Sequence, residues 1–256
     1  MIEGWGEALA VIAAGAGAGA INTVVGSGTL ITFPTLLAFG VPPVVANVSN
    51  TVGLVPGTLS GLLGDRESLA GQKARLRRLL PASLVGSLAG ALLLLWLPAK
   101  AFSAIVPLLI GIGVALVIAG PAISRRVAAR AASRGGVPDH GEWWVWPAVA
   151  LAGVYGGYFG AAQGVLLMAI LGIGVVDSMR RHNATKNVLS TAVNALAAVL
   201  FILIAHVDWK VAGLIALGAI IGGQIGARIG KSLPPQVLRA VIVIVGLIAI
   251  ANLTLR

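Results

Sequence analysis

The sequence predicts an all-α, polytopic integral membrane protein built from two inverted repeats, with about 8 to 10 hydrophobic segments. Hydrophobic residues make up 58% of the chain and charged residues 10%, and the mean hydropathy is +0.98. That composition leaves too little polar surface to cover a soluble globule. A pattern beginning at Asn47 (Asn-Val-Ser-Asn-Thr) returns 136 positions later, at Asn183, as Asn-Ala-Thr-Lys-Asn. Repeated hydrophobic segments of this kind predict an internal duplication.

Each repeat contains five apolar segments, most of which approach the ~20 residues that a helix needs to cross a bilayer. The predicted repeats are 1–121 and 144–256, joined by a basic cytoplasmic linker at 122–143. The segments lie at 7–25, 27–40, 43–63, 77–98 and 101–121, and then at 144–162, 164–176, 183–206, 210–228 and 235–255.

The first two segments of each repeat are interrupted by glycine, at Gly26-Ser27-Gly28 and between Gly160 and Gly164. We therefore expect each repeat to open with a broken or re-entrant helical hairpin. Irregular backbone at membrane depth is tolerated only where it is buried in protein or lines a cavity. These two interruptions are accordingly candidate elements of a central site.

Basic residues predict the orientation of the segments. Loops 64–80 and 122–143 are rich in arginine, and Arg180, Arg181, Arg228 and Lys231 mark two further turns. The positive-inside rule assigns all of these to the cytoplasm, where they would also meet anionic lipids. The helix after Asn47 then runs inward and the helix after Asn183 outward, so the repeats are inverted and both termini lie outside. The bases fall in short loops between apolar segments, which argues against nucleic acid as a partner.

One face of the segment after Asn183 is polar over three turns. Its polar residues follow the spacing of a single helical face. They are Asn183, Lys186, Asn187, Ser190, Thr191 and Asn194. Hydrogen bonding between helices explains the deeper three residues as well as a site does. For the first turn we favour a binding site, because helix N-termini expose unpaired N–H groups and a positive dipole end.

Lys186 is the one charged residue in the repeated Asn-led pattern, since the first copy has Asn50 at that place. An ammonium group at the bilayer centre costs ~2.5–3.5 kcal/mol on insertion scales. All eight acidic residues map to loops or helix ends, which leaves a ligand anion as the expected counter-ion of Lys186. The alternative is that Lys186 extends to the cytoplasmic interface, as Arg180 and Arg181 do.

The sequence therefore predicts a site for a small anion, with Lys186 as its fixed charge. His182 lies beside it and is the candidate for proton coupling. The Asn-led segments would donate hydrogen bonds to the anion, and the glycine-containing tips would close the site. These residues are Asn47, Ser49, Asn50, Thr51, Asn183, Thr185 and Asn187 from the segments, and Ser27, Gly28, Gln163 and Gly164 from the tips.

The same residues argue against an enzyme. The three histidines are scattered, cysteine is absent, and no P-loop occurs. Carboxylates are missing at the depth where a membrane protease or a divalent-cation carrier would need them. We expect neither a metal nor a cofactor.

The run from Gly26 to Pro34 (Gly-Ser-Gly-Thr-Leu-Ile-Thr-Phe-Pro), with Gly40-Val-Pro-Pro43 and Ala46-Asn47, resembles the TauE/SafE family, also called TSUP. The resemblance covers essentially the whole chain. It implies a permease of the bacterial inner membrane for small anions such as sulfite, sulfoacetate or related C2 sulfonates. The alternatives are a passive anion channel and a transporter of a non-sulfur organic anion. A homodimer is the oligomeric state that we consider.

Overall fold

The computed structural model describes residues 2, 4–133, 141–229 and 235–254. Within those residues the regular structure is entirely helical, which confirms the predicted all-α class. Among the described residues, five helices are long and apolar enough to cross a membrane, namely α1, α4, the first 24 residues of α5, α8 and α9. The helices are α1 Trp5–Val24, α2 Thr29–Ala38, α3 Pro43–Gly64, α4 Lys73–Trp96, α5 Ala99–Ser133, α6 Val145–Tyr158, α7 Gln163–Gly174, α8 Met179–Ile204, α9 Trp209–Ile229 and α10 Pro235–Thr254, with a short 3₁₀ helix at Arg66–Leu69.

The helices repeat along the chain with the period seen in the sequence. Helices α3, α4 and α5 begin at Pro43, Lys73 and Ala99, and α8, α9 and α10 begin 136 residues later in each case. Pro43 occupies the first turn of α3, where its fixed φ suits a helix start and its missing N–H costs nothing. The described part of the chain therefore contains two successive sets of five α-helices.

The two sets interlock through their first and fourth helices. Helix α1 packs against α9, and its counterpart α6 packs against α4. Glycines make both approaches close: Gly222 of α9 lies against the backbone of Ala16, and Gly86 of α4 lies against that of Ala150. Small residues at such crossings are typical of helix pairs in membranes. This exchange of partners joins the two sets of helices.

Both predicted breaks are present, and they have the same local geometry. At Gly26 (φ +84°) and Gly160 (φ +76°) the chain enters the left-handed region that glycine adopts without strain. The amides of Val25 and Gly26 both donate to the Ile21 carbonyl, and those of Phe159 and Gly160 both donate to the Tyr155 carbonyl. Helices α1 and α6 therefore end alike, and the short helices α2 and α7 follow.

Aromatic rings hold the second break against the first repeat. The ring of Phe159 meets that of Phe33 edge-on, with centroids 5.0 Å apart, and Phe102 of α5 contacts both. All three side chains are fully buried. Edge-to-face pairs add ~0.5–1.5 kcal/mol each beyond the area they bury. The position of the break is thus fixed by packing as well as by the backbone.

Helix α5 continues past its apolar part to Ser133, so the first half of the predicted linker at 122–143 is helical. The extension is rich in alanine and arginine, both good helix formers. Residues 134–140 of that linker, and Lys231 in the predicted turn before α10, lie outside the described residues.

Candidate functional site

The two helix breaks meet each other at the centre of the fold. The amide of Gly164 donates to the carbonyl of Gly26 over 3.0 Å. A Cβ atom added at Gly164 would lie 2.5 Å from the Cα of Gly26, so the two backbones touch without side chains between them. A direct bond between the breaks satisfies backbone groups that helices at this depth cannot pair internally.

A polar cavity lies beside this contact; we call it the central cavity. The space that a water's centre can occupy is about 20 Å³, which is enough for about one water molecule. Its walls come from both breaks and from α1, α2, α3, α7 and α8. The lining residues are Asn22, Thr23, Gly26, Thr29, Thr58, Gly160, Gln163, Gly164, Asn187, Ser190, Thr191 and Asn194. None of these is acidic.

Three buried groups around the central cavity have no hydrogen-bond partner among the described residues: Gln163 Nε2, Ser190 Oγ and Thr191 Oγ1. Gln163 is 2% exposed and Thr191 is 5% exposed. Leaving a buried polar group unpaired costs ~1–3 kcal/mol. An amide N–H₂ and two hydroxyls are therefore available to donate to a bound molecule.

Lys186 is fully buried, and its ammonium group binds the end of α1. The Nζ atom lies 3.1 Å from the carbonyl oxygen of Asn22 and 3.4 Å from that of Thr23. The last carbonyls of a helix have no partner within it and carry the negative end of the dipole. Lys186 therefore does not extend to the interface, and backbone oxygens compensate its charge in this conformation.

Two asparagines of α8 join Lys186 at the same acceptor. Asn183 Nδ2 and Asn187 Nδ2 lie 3.2 Å and 3.4 Å from the carbonyl oxygen of Thr23. The first repeat has a counterpart, because Asn47 Nδ2 donates to the carbonyl of Tyr158, the last residue of α6, over 3.0 Å. Each Asn-led helix thus donates hydrogen bonds to the C-terminal carbonyls of the first helix of the other repeat.

Of the residues predicted from the sequence, Asn187, Gln163 and Gly164 line the central cavity. The others make bonds within the protein or lie apart from the cavity lining. Asn50 bonds Thr29 and Thr32, Thr51 donates to Asn47, Ser49 accepts from the Asp208 amide, Thr185 donates to Gln72, and the Gly28 amide donates to Asn22. Ser27 and His182 are buried with unpartnered polar atoms.

The deeper residues of the polar face of α8 line the central cavity instead. Ser190, Thr191 and Asn194 line it, together with Asn22, Thr23, Thr29 and Thr58 of the first repeat. Helical spacing in the sequence predicted that Ser190, Thr191 and Asn194 share a face with Asn187. Nothing in the sequence predicted a role for Asn22 and Thr23, because the corresponding positions of the second repeat are not polar in the same pattern.

A second and larger cavity, which we call the vestibule, opens on the side of the basic loops. Its volume, measured in the same way, is about 440 Å³. It is lined by Asp65 of the loop after α3, by the end of α1, the middle of α7, the start of α8 and the last turns of α9. The lining residues are Thr23, Val24, Asp65, Met168, Met179, Arg180, Asn183, Gly226 and Ala227. Thr23 lines both cavities. Thr23, whose carbonyl accepts from Asn183, Lys186 and Asn187, is therefore common to both linings.

Ion pairs join the loop after α3 and the start of α4 to the turn before α8 and the first turn of α8. Asp177 accepts from Arg75 Nη1 at 2.7 Å and from Arg181 Nε at 2.8 Å, and Arg180 pairs with Asp65 at 3.3 Å. Burial by itself would raise the pKa of the Asp177 carboxyl. Hydrogen bonds from Arg181, Arg75 and the Ser178 amide outweigh this and hold that pKa below its usual range. These ion pairs tie the two repeats together, and the Asp65–Arg180 pair lines the vestibule.

No group of three or more histidine, cysteine, aspartate or glutamate side chains suited to a metal occurs among the described residues.

Comparison with known proteins finds relatives that match most of the chain. A probable membrane transporter protein, ORF9, from Sinorhizobium sp. is 29% identical over 245 residues, covering 90% of this chain and 85% of the relative. The probable membrane transporter protein YfcA of Escherichia coli K12 is 28% identical, covering 92% and 85%.

A probable membrane transporter protein of Haemophilus influenzae is 25% identical, covering 91% of this chain and 89% of the relative. No solved structure matches the chain. A model of the family described as Sulfite exporter TauE/SafE matches residues 11–253. The chain therefore belongs to the TauE/SafE family of membrane transporters.

Proposed function

We propose that this transporter carries a small oxyanion, such as sulfite or a C2 sulfonate like sulfoacetate, through the central cavity by alternating access. The cavity must widen beyond its present space for about one water molecule to admit the anion. The observation that carries the proposal is the set of unpartnered donors Gln163 Nε2, Ser190 Oγ and Thr191 Oγ1 around one cavity. A sulfonate or sulfite group presents several oxygen acceptors on one centre. Donors that converge from α7 and α8 can bind them at once.

The charges around the cavity favour an anion over a cation. The lining has no carboxylate, and Lys186 is adjacent in sequence to the lining residue Asn187 and bonds the carbonyl of Thr23, another lining residue. A cation in the cavity would be repelled by the nearby Lys186 ammonium group and would find no carboxylate in the lining to compensate its charge. An anion would gain charge-assisted hydrogen bonds, which are about twice as strong as neutral ones.

The helix breaks support a carrier mechanism. Sites at the interface of two repeats, formed by discontinuous helices, are typical of transporters in which one repeat moves against the other. The contact of Gly26 with Gly164 puts one break from each set of helices at the cavity. We propose that the sets are inverted in the bacterial inner membrane, with both termini outside, and that this contact shifts as access alternates.

Thermal unfolding of the purified protein tests the binding site. Sulfoacetate, sulfite and acetate should raise the melting temperature in order of the number of acceptor oxygens, whereas neutral glycerol should leave it unchanged. Ligand at a hundred times its Kd stabilises by ~2.7 kcal/mol, which is readily measured. In Thr191→Val, the affinity should fall about tenfold or more, the effect of losing a hydrogen bond to a charged group.

Thr35→Val is the matched control, because Thr35 lies on α2, bonds the Ile31 carbonyl and is not among the lining residues. It should bind the anions as the unmodified protein does. Equal affinity in Thr191→Val and in the unmodified protein would remove the central cavity as the binding site. Stabilisation by cations or by neutral solutes instead of oxyanions would overturn the substrate class.

A further inference from the structure

The carbonyl of Thr23 has more donors than it can bind well. Asn183, Lys186 and Asn187 all point to it, at 3.2, 3.4 and 3.4 Å. A carbonyl oxygen has two lone pairs, and N–H···O bonds are commonest near ~2.9–3.0 Å. Three long bonds to one acceptor are weak bonds. The ammonium group of Lys186 therefore has one ordinary bond, to the Asn22 carbonyl at 3.1 Å, and one weak bond, to the Thr23 carbonyl. Both partners are neutral backbone oxygens, although the ammonium group is completely buried.

Residues of this cluster line both the vestibule and the central cavity. On one side Asn183 and Thr23 line the vestibule, and on the other side Asn187 and Thr23 line the central cavity. Lys186 lies between the two asparagines on α8 and is 0% exposed, so neither space reaches it. An anion that passes from one space to the other must displace these contacts.

We propose that Lys186 is the gate between the vestibule and the central cavity: its ammonium group closes the passage on the α1 carbonyls and opens it by transferring to an arriving anion. This rests on the proposed transport function and adds the side from which the site is reached. An anionic oxygen is a better partner than a shared carbonyl, since bonds between two charged groups are shorter and stronger. A neutral solute offers Lys186 no such exchange, so the gate also selects for anions.

Cysteine labelling measures the gate without any assay of transport, and the chain has no native cysteine. Val24→Cys places a thiol in the vestibule, and Ser190→Cys, a nearly isosteric change, places one in the central cavity. With Lys186 intact, a small membrane-impermeant methanethiosulfonate should label Val24→Cys quickly from the basic-loop side and Ser190→Cys slowly. Adding Lys186→Gln should accelerate labelling of Ser190→Cys about tenfold or more, the size expected for losing a charge-assisted bond.

Lys210→Gln is the matched control, because Lys210 also donates to a backbone carbonyl, that of Ile2, but is exposed at the start of α9. It should leave both labelling rates unchanged, and Lys186→Gln should leave that of Val24→Cys unchanged. If Lys186→Gln does not fold, Asn183→Ala removes another donor from the Thr23 carbonyl and should accelerate Ser190→Cys labelling by a smaller factor.

The proposal is overturned if Ser190→Cys reacts as fast as Val24→Cys while Lys186 is present. It is also overturned if neither Lys186→Gln nor Asn183→Ala changes the rate. Failure of the transport proposal would look different: oxyanions would neither bind nor cross the membrane, although the labelling rates still depended on Lys186.

Discussion

At the scale of single residues, Gly164 has no room for a side chain. It lies at the start of α7, with its amide bonded to Gly26 and its Cα against the Gly26 backbone. The partner is backbone rather than a flexible side chain, so it cannot move aside without separating the two breaks. Because these breaks form part of the cavity lining, the contact couples the fold to the site.

Gly164→Ala should lower stability by ~1–3 kcal/mol, the usual cost of overpacking a well-packed core. Alanine is the better helix former by up to ~1 kcal/mol, so a loss would have to come from the contact with Gly26. Thermal unfolding in detergent measures the change. Gly213→Ala is the control, since nothing lies within 4 Å of its added Cβ, and it should be neutral or slightly stabilising. A Gly164→Ala protein as stable as the original would mean that the breaks separate easily.

The residues of the site were predictable only in part. Helical spacing indicated that Asn187, Ser190, Thr191 and Asn194 share a face, and the structure places all four around one cavity. Spacing cannot say what the face meets, because the partner of Lys186 is a backbone carbonyl more than 160 positions away. Backbone groups carry no sequence signal. The capping role of Asn47 and Asn183 was therefore invisible before the fold was known.

At the scale of helices, the turn between α7 and α8 is held to the start of α4 by Asp177. Its side chain is 13% exposed and accepts from Arg75, whose side chain is 7% exposed. Removing one partner of such a pair leaves the other charge poorly solvated and without its opposite charge there. The position of the turn before α8 thus depends on the Asp177 carboxylate.

The low pKa of Asp177 gives this contact a definite pH dependence. A carboxyl whose folded pKa is depressed contributes stability that is present above its unfolded pKa, near ~3.9, and is lost as the pH falls through its folded pKa. Asp177→Asn should lower the melting temperature at neutral pH and should remove this part of the acid sensitivity below about pH 4. Melting curves of both proteins from neutral to acidic pH measure it.

Asp208→Asn is a suitable comparison, because Asp208 caps α9 through the Val211 amide and forms no ion pair among the described residues. Asp208→Asn should lower the melting temperature at neutral pH by less than Asp177→Asn does. Melting curves of Asp177→Asn that run parallel to those of the original protein at every pH would contradict the assigned ion pair.

The helix boundaries could be predicted well because glycine and proline mark them directly. Both breaks and the start of α3 fall where Gly26, Gly160 and Pro43 predicted an interruption or a start. The end of α5 could not be predicted in this way. Charge and alanine content suggested a linker there, whereas arginine and alanine are also good helix formers, and the helix continues to Ser133.

At the scale of the whole molecule, segments that the charge pattern assigns to one side of the membrane lie together. The loop after α3 contacts the turn before α8 through Arg180 and Asp65, and Lys210 at the start of α9 binds the Ile2 carbonyl near the N-terminus. With the shared period of the helices and the exchanged packing of α1 and α6, this arrangement is what two inverted repeats require. The inversion itself remains our proposal.

Flux of sulfoacetate into proteoliposomes with an imposed membrane potential tests the central claim, anion transport through the central cavity. A carrier predicts uptake that saturates with concentration and that responds to the potential, which contributes ~2.3 kcal/mol per charge per 100 mV. Uptake at low concentration should fall about tenfold or more in Thr191→Val, in line with its weakened binding, and should be unchanged in Thr35→Val. Flux that never saturates, or that is equal in Thr191→Val and the unmodified protein, would contradict the account.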